Sequence, residues 1–341
     1  MKAHFGVTVW LGVCCSMTLL MVVIGGITRL THSGLSITEW QPIVGVVPPI
    51  GDEAWLREKE KYAQTPEYRH RAADISLDDF KRIYIIEYIH RLFGRALGAV
   101  FCLPIPYFAI TKRINRAMVA KLLMVALLGG MQGAMGWFMV KSGLVDTPRV
   151  SHYRLAGHLF LTILLFSILW HSFLRCAGVR STTTTTNARF FTAAAVVGLT
   201  VLQMVLGALV AGLDAGLTYN TFPLMDGAII PQSLFSAKLW HGGFLHDVTA
   251  VQFLHRLVAV LIVVCAAPLP FWLKTRGAWL FLACVALQFL LGVATLVSVV
   301  HIFLAAMHQV FGFVTLAAGV HMLCRLRREG STCISGHAGI S

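Results

Sequence analysis

The sequence predicts an all-α integral membrane protein whose eight transmembrane helices form two pseudo-symmetric four-helix bundles. Three observations lead to this fold class: an apolar composition, a series of long apolar stretches, and motifs that recur in both halves of the chain. Of the 341 residues, 57% are hydrophobic and 13% are charged, and the mean hydropathy is +0.74. Soluble domains carry about a quarter charged residues, so this composition excludes an ordinary soluble enzyme, a disordered chain and a fibrous protein.

Eight apolar stretches are long enough to cross the ~30 Å hydrocarbon core, which takes about 20 helical residues. We number them spans 1 to 8, near residues 8–28, 83–108, 118–140, 155–173, 190–213, 249–272, 278–299 and 303–323. The first is too long for the apolar region of a signal peptide and is followed by seven more, so it is predicted to be a retained span. Residues 1–180 and 181–341 then form two halves of four spans each.

The placement of basic residues predicts which loops face the cytoplasm. Lys and Arg cluster in the loops after spans 2, 4 and 6 and in the C-terminal tail, whereas the acidic residues lie mainly in the other loops. By the positive-inside rule, both termini are cytoplasmic and the loops 29–82 and 214–248 lie outside. The net charge of +13 is therefore a topology signal and does not indicate nucleic-acid binding.

The polar connections carry fewer signals. The outer loop 52–82 is rich in charges of both signs and is expected to be solvated. Ser76 and Asp79 predict a capping box that starts span 2 outside the bilayer. The threonine run 182–186 predicts a plain cytoplasmic linker between the halves. None of the eight cysteines lies in the long polar loops, so no disulfide framework is expected.

Several motifs occur in both halves. Three glycines and a proline recur at one constant offset, as Gly25/Gly207, Gly34/Gly216, Gly45/Gly227 and Pro49/Pro231. Span 2 opens with Glu87-Tyr-Ile-His90-Arg91, and span 6 opens with Gln252-Phe-Leu-His255-Arg256. Spans 3, 5 and 7 each hold Gln-x-x-x-Gly, as Gln132/Gly136, Gln203/Gly207 and Gln288/Gly292. We interpret the repeat as a duplicated four-helix unit, although helix packing explains the glycine spacing equally well.

Four of the fourteen histidines lie inside spans at a similar depth. They are His90, His158, His255 and His308, each roughly four to seven residues inside the outer end of an even-numbered span. An ionisable residue within the membrane is a functional candidate by default, and facing helices of a bundle can supply axial histidines to haem iron. The pattern predicts two bis-histidine haem sites, one per half. Eight other histidines, including His152 and His246, lie in tails, loops or helix boundaries and have no predicted role.

Charged residues beside the histidines predict further roles. Arg91 and Arg256 directly follow His90 and His255, and these two arginines and Arg95 are candidates for binding the anionic haem propionates. Glu87 shares a helix face with His90, whereas the second half has an amide at that position. Because a buried carboxylate can transfer protons and an amide cannot, we expect the first half to be the reactive one and Glu87 to transfer protons. The alternative is a structural ion pair between Glu87 and Arg91.

With these residues assigned, the chain resembles the haem A synthase family. The matching stretches are GGITRLTHSGLSITEW at 25–40, EYIHRLFGR at 87–95, YRLAGHL at 153–159, FLHR at 253–256 and AAMHQ at 305–309. The resemblance covers essentially the whole chain. Some relatives carry a cysteine pair in the outer loops, and because this sequence has none there, a redox role for such a pair is absent.

The resemblance implies an oxidoreductase that acts on a haem methyl group. Such enzymes oxidise the C8 methyl of haem O, through a hydroxymethyl intermediate, to the formyl group of haem A used by terminal oxidases. By resemblance, His255 and His308 bind a resident haem b, and His90 and His158 hold the substrate haem beside Glu87. The family also implies the bacterial inner membrane and its lipid as location. Its implied partners are haem O synthase, oxidase assembly factors and a second copy of the chain.

Two other functions fit parts of the pattern. A dihaem cytochrome b that only transfers electrons would add His171 and His321 as ligands near the cytoplasmic ends of spans 4 and 8. His171 lies 13 residues after His158, and His321 lies 13 residues after His308, so the two side chains on each helix point about 140° apart around its axis. This angle disfavours two haems stacked on one face. A transporter would place polar residues at broken helices near the midplane, whereas here they cluster near the outer face.

Overall fold

The fold is a bundle of eight membrane-length helices. The computed structural model describes residues 5–40, 45–71, 73–145, 149–235 and 243–329. Within these ranges the long apolar helices are Phe5–Leu30, Leu77–Ile110, Arg116–Leu144, His152–Cys176, Asn187–Gly212, Val248–Leu273, Arg276–Val297 and Ile302–Arg325. The prediction of an all-α membrane protein with eight spans is confirmed. The division at residue 180 and the pseudo-symmetry stay predictions.

Spans 2 and 6 are each interrupted by proline near their C-terminal ends. Span 2 consists of Leu77–Cys102 followed by the short helix Pro104–Ile110. Span 6 consists of Val248–Ala266 followed by Leu269–Leu273, which is preceded by Pro268. Proline has no backbone N–H and therefore interrupts the helical hydrogen-bond ladder. The two histidine-bearing spans that open with related motifs thus also share the same irregularity.

Spans 1, 4, 5 and 8 form the centre of the bundle. Spans 1 and 5 each pack against both span 4 and span 8, and spans 4 and 8 pack against each other. Trp170 of span 4 donates a 2.9 Å hydrogen bond to the Ala317 carbonyl of span 8. Phe166 meets Phe313 edge-on, with ring centroids 5.5 Å apart. Each remaining span packs beside a neighbour in sequence, so that spans pair as 1–2, 3–4, 5–6 and 7–8.

The charged outer loop forms two short helices, where the sequence predicted only a solvated segment. Asp52–Ala63 packs on span 2 through a buried cluster that includes Tyr62, Phe80 and Tyr84. Pro66–Arg71 contacts span 3 and adds Tyr68 to this cluster. Ser76 caps span 2 as predicted, because its Oγ accepts a 3.1 Å hydrogen bond from the Asp79 N–H. Most charged residues of this outer cap are at least partly exposed while its aromatic rings face inward, although Glu67 is buried. A charge count alone does not show this arrangement.

The linker between the halves is also more structured than predicted. Thr183–Thr185 forms a short strand that pairs in parallel with Leu326–Arg328, directly after span 8. Thr186 then caps span 5 by accepting a hydrogen bond from the Arg189 N–H. The two strands join the start of span 5 to the end of span 8. All seven cysteines in the described residues are free thiols, and Cys333 lies outside them.

Candidate functional site

Each of the four predicted histidines lies against a glycine of the preceding odd-numbered span. A Cβ atom placed on Gly25 would lie 3.2 Å from Nε2 of His90, and one on Gly136 would lie 3.4 Å from Cε1 of His158. These distances are tighter than ordinary van der Waals contact, so a larger residue would displace the ring. The glycines that the sequence left open between packing and function therefore face the candidate ligands.

The second half repeats this arrangement. A Cβ on Gly207 would lie 3.2 Å from Cε1 of His255, and one on Gly292 would lie 2.9 Å from Cε1 of His308. The charge of His255 would interact with that of His308, and the charge of His90 with that of His158. The four histidines therefore fall into two pairs, one per half.

Three of the four imidazoles have an unsatisfied buried nitrogen. Within the described residues, Nδ1 of His158, His255 and His308 has no hydrogen-bond partner. A buried polar atom without a partner is costly and needs an explanation, of which a bound group is one. The described residues contain no cluster of three or more His, Cys, Asp or Glu side chains able to hold a metal ion. A group that takes two axial protein ligands, such as haem, fits this donor set.

Glutamines of the Gln-x-x-x-Gly motifs hold the backbone of the histidine-bearing turns. Gln203 Nε2 donates to the His255 carbonyl at 2.9 Å, and Gln288 Nε2 donates to the His308 carbonyl at 3.0 Å. Gln132 instead donates to Thr162 Oγ1 at 2.6 Å, and this hydroxyl donates to the His158 carbonyl at 3.0 Å. The sequence revealed the motif but not this contact.

Glu87 lies one helical turn before His90, with both carboxylate oxygens bonded. Ser36 Oγ and the Ile37 N–H donate to its Oε2 at 2.7 and 2.9 Å. Arg91 donates to its Oε1 through two nitrogens, at 3.0 and 2.7 Å. The side chain of Glu87 is only 3% exposed. The ion pair considered from the sequence is present, and the carboxylate also binds the loop that follows span 1.

At the position that corresponds to Glu87, the second half has a side chain that donates a hydrogen bond to the loop instead of accepting one. Gln252 Nε2 donates to the Tyr219 carbonyl at 3.1 Å, where Glu87 accepts from the backbone N–H of Ile37. Arg256 donates to the carbonyls of Tyr219 and Thr221, and Arg91 donates to those of Ile37 and Glu39. The two arginines thus bond corresponding carbonyls of the two loops. Glu87 accepts hydrogen bonds from its loop, whereas Gln252 donates one to a carbonyl of its loop.

The three propionate candidates all bond to backbone carbonyls here. Arg95 donates to the Gly45 carbonyl at 3.1 Å, in the loop that Arg91 also holds. Arg91 uses its Nε on Glu87. The Nε of Arg256 is buried and has no partner among the described residues. The Arg256 guanidinium therefore keeps a buried Nε–H donor to offer a carboxylate.

The structure also brings together residues to which the sequence gave no role. His152, Tyr153 and His246 meet at the N-terminal end of span 4, with ring centroids 4.2 to 4.9 Å apart. At the same end of the bundle, Arg29 at the end of span 1 forms a 2.9 Å ion pair with Asp214 after span 5. Both contacts join the two halves, between residues far apart in the chain.

Sequence comparisons show which known proteins the chain is similar to. The model of a family described as cytochrome oxidase assembly protein matches residues 8–320. The chain is 99% identical to a haem A synthase of Anaplasma marginale (strain St. Maries) over 341 residues, which is 100% of both chains. It is 48% identical to a haem A synthase of Paramagnetospirillum magneticum, with 90% of both chains covered. It is 43% identical to one of Ehrlichia canis, with 93% and 92% covered.

Proposed function

Since the chain belongs to the cytochrome oxidase assembly protein family, with haem A synthases as relatives, we propose that its two histidine pairs hold two haems with different tasks. The activity is that of a haem A synthase, an oxidoreductase that converts a methyl group of haem O into the formyl group of haem A. This conversion removes electrons and adds an oxygen atom. The protein must therefore hold the substrate, accept protons and pass electrons onward.

The first half is the substrate site. His90 and His158 are the axial ligands of haem O and then of haem A. Glu87 supports this assignment, because it is a buried carboxylate one turn from His90 while the second half has an amide in that place. A lipid-facing bundle suits a substrate that carries a long apolar tail, since the tail can stay in the bilayer during binding.

Glu87 accepts protons released as the methyl group is oxidised. Its Oε2 is the atom for this, because that oxygen accepts from two uncharged donors, whereas Oε1 is paired with the Arg91 guanidinium. The Ser36 hydroxyl can turn from donor to acceptor when Oε2 becomes protonated. Arg91 keeps the carboxylate in place throughout, because it also bonds the loop carbonyls of Ile37 and Glu39.

The second half holds a resident haem b between His255 and His308. The glycine-lined rings and the unpartnered buried Nδ1 atoms fit a bis-histidine haem. Haem b supplies one-electron transfer when it is bound. Arg256 binds a propionate through its unpartnered Nε, and Arg91 and Arg95 are the corresponding candidates in the first half.

The location and partners follow from the charge pattern and the family. We place the protein in the bacterial inner membrane, with both termini cytoplasmic and the histidine pairs near the outer face. Haem O synthase, oxidase assembly factors and a second copy of the chain are its proposed protein partners. A reporter enzyme fused after Ser341 should read as cytoplasmic, and an exterior signal would contradict this orientation.

The observation that carries the function is the combination of four glycine-lined histidines with a buried carboxylate, Glu87, one turn before a histidine of the first half, where the second half has Gln252. The test is to purify the protein from cells that make haem O, extract its haems into acidified solvent and separate them by chromatography with mass detection. We expect haem b together with haem O oxidised at its methyl group. Haem b alone would indicate an electron-transfer cytochrome, and no haem would contradict the four-histidine assignment.

A further inference from the structure

We propose that the glutamines of the Gln-x-x-x-Gly motifs are positioning residues that set how tightly each half retains its haem. The inference rests on the proposed function and goes beyond it by explaining why one haem stays while the other is exchanged. The second half has two direct glutamine anchors. The first half has one indirect anchor, and its other histidine faces a motif without glutamine.

The two anchors of the second half act between paired spans. Gln203 of span 5 bonds the His255 carbonyl of span 6, and Gln288 of span 7 bonds the His308 carbonyl of span 8. A helix carbonyl has two lone pairs, so it can accept from glutamine and still keep its helical hydrogen bond. Each anchor ties the ligand-bearing turn to the helix whose glycine touches the same imidazole. Moving the backbone of such a turn away from bound iron therefore also breaks a buried hydrogen bond.

The first half lacks this direct tie at both histidines. Gln132 of span 3 bonds the Thr162 hydroxyl, and Thr162 in turn bonds the His158 carbonyl one helical turn earlier. Span 3 therefore holds Thr162 directly and His158 only through it. On span 1, Met21 occupies the position one turn before Gly25 where the other three motifs have glutamine. A thioether has no hydrogen to donate. The turn that carries His90 can therefore move relative to span 1 without losing such a bond.

This difference matches the needs of the two sites. A resident electron carrier has to stay bound through many turnovers, whereas haem O must enter and haem A must leave on each one. A donor removed from a buried carbonyl typically changes an equilibrium by about tenfold. Two such anchors in one half, and none in direct contact in the other, therefore make haem release slower from the second half than from the first.

The test measures haem loss and does not depend on turnover. Full-length protein carrying haem b is mixed with excess apomyoglobin, and the rate of haem transfer is followed by absorbance. We expect Gln203→Leu and Gln288→Leu each to release haem b about tenfold faster than the unmodified protein. Gln132→Leu is the matched control, because it removes the same side chain from the other half and should leave haem b release unchanged. Met21→Gln should slow the loss of haem O and haem A, identified by chromatography.

The outcomes separate this inference from the proposed function. Tight haem b in the unmodified protein, with equal release rates in all three glutamine variants, would overturn the anchoring role alone. An unmodified protein without bis-histidine haem would overturn the proposed function and the inference with it. Gly207→Ala provides a second test that keeps the glutamines, since its Cβ would press on His255, and release should again quicken. Gly198→Ala on the same span is its control, because that Cβ meets nothing within 4 Å.

Discussion

The two halves of the molecule use the same contacts to position their histidines but differ in charge. In both, an arginine next to the first histidine bonds two carbonyls of the preceding outer loop. In the first half a buried carboxylate completes this contact and binds a serine and a backbone N–H. In the second half an uncharged amide binds a carbonyl. This difference is the basis of our proposal that the first half carries out the chemistry and the second half retains its haem.

Removing a histidine is expected to have the largest effect, and it tests directly whether the two halves bind different haems. His255→Ala or His308→Ala should lose haem b, because each removes an axial ligand. His90→Ala and His158→Ala should keep haem b and lose the substrate haem. Absorbance spectra of the reduced and oxidised protein, together with haem extraction, measure both. His321→Ala on span 8 is the control, and full retention of haem b in both second-half variants would contradict the site assignment.

Exchanging the carboxylate should have the next largest effect. Glu87→Gln should leave haem bound but lower the yield of formyl haem by about a hundredfold, the usual contribution of a proton-transfer residue. Ser36→Ala removes one hydrogen bond to the same oxygen and should cause a smaller loss. The measurement is the ratio of haem A to haem O in extracts. Unchanged conversion in Glu87→Gln would remove the chemical distinction between the halves.

Breaking the ion pair that joins the halves should have a modest effect. Arg29 and Asp214 are about a quarter exposed, and Asp214→Asn should lower the free energy of unfolding by about 1 kcal/mol or less. Asparagine tolerates the left-handed backbone of this position (φ 54°), so the change isolates the charge. Thermal unfolding in detergent at low and high salt measures it. A Tm equal to that of the unmodified protein at low salt would show that the pair contributes nothing.

The smallest effect is expected in the outer cap, a feature described here only for the first half. Lys61 lies 2.8 Å from Glu58 and 2.9 Å from Glu39, and these hydrogen bonds raise its pKa. Its contribution is therefore complete at neutral pH and is lost only as the pH rises through that raised value. Lys61→Met should cost about 0.5 kcal/mol, because the Lys61 side chain is 39% exposed and its two ion pairs are screened by solvent. A Tm shift larger than that of Asp214→Asn would show that the Lys61 contacts stabilise the protein more than the Arg29–Asp214 pair does.

The sequence predicted the parts of the molecule that depend on composition and short-range pattern. Eight spans follow from hydropathy, and the cap at Ser76 follows from local hydrogen-bonding chemistry. It also identified the four histidines, because ionisable residues inside apolar stretches are conspicuous. The Gln-x-x-x-Gly motif could be found in the sequence, but the contact that its glutamine makes could not, because the histidine turn it contacts lies on another helix. The contact of His152 with His246 and the pairing of Thr183–Thr185 likewise depend on distant parts of the chain.

The small parallel sheet has a consequence for the timing of synthesis. Thr183–Thr185 emerges from the ribosome about 140 residues before its partner strand, which at roughly 5–20 residues per second is a delay of about 7–30 seconds. During that interval spans 5 to 8 must insert while the linker strand is unpaired. The strand Leu326–Arg328 pairs only after the last span has been made, so formation of the sheet marks the completion of the bundle.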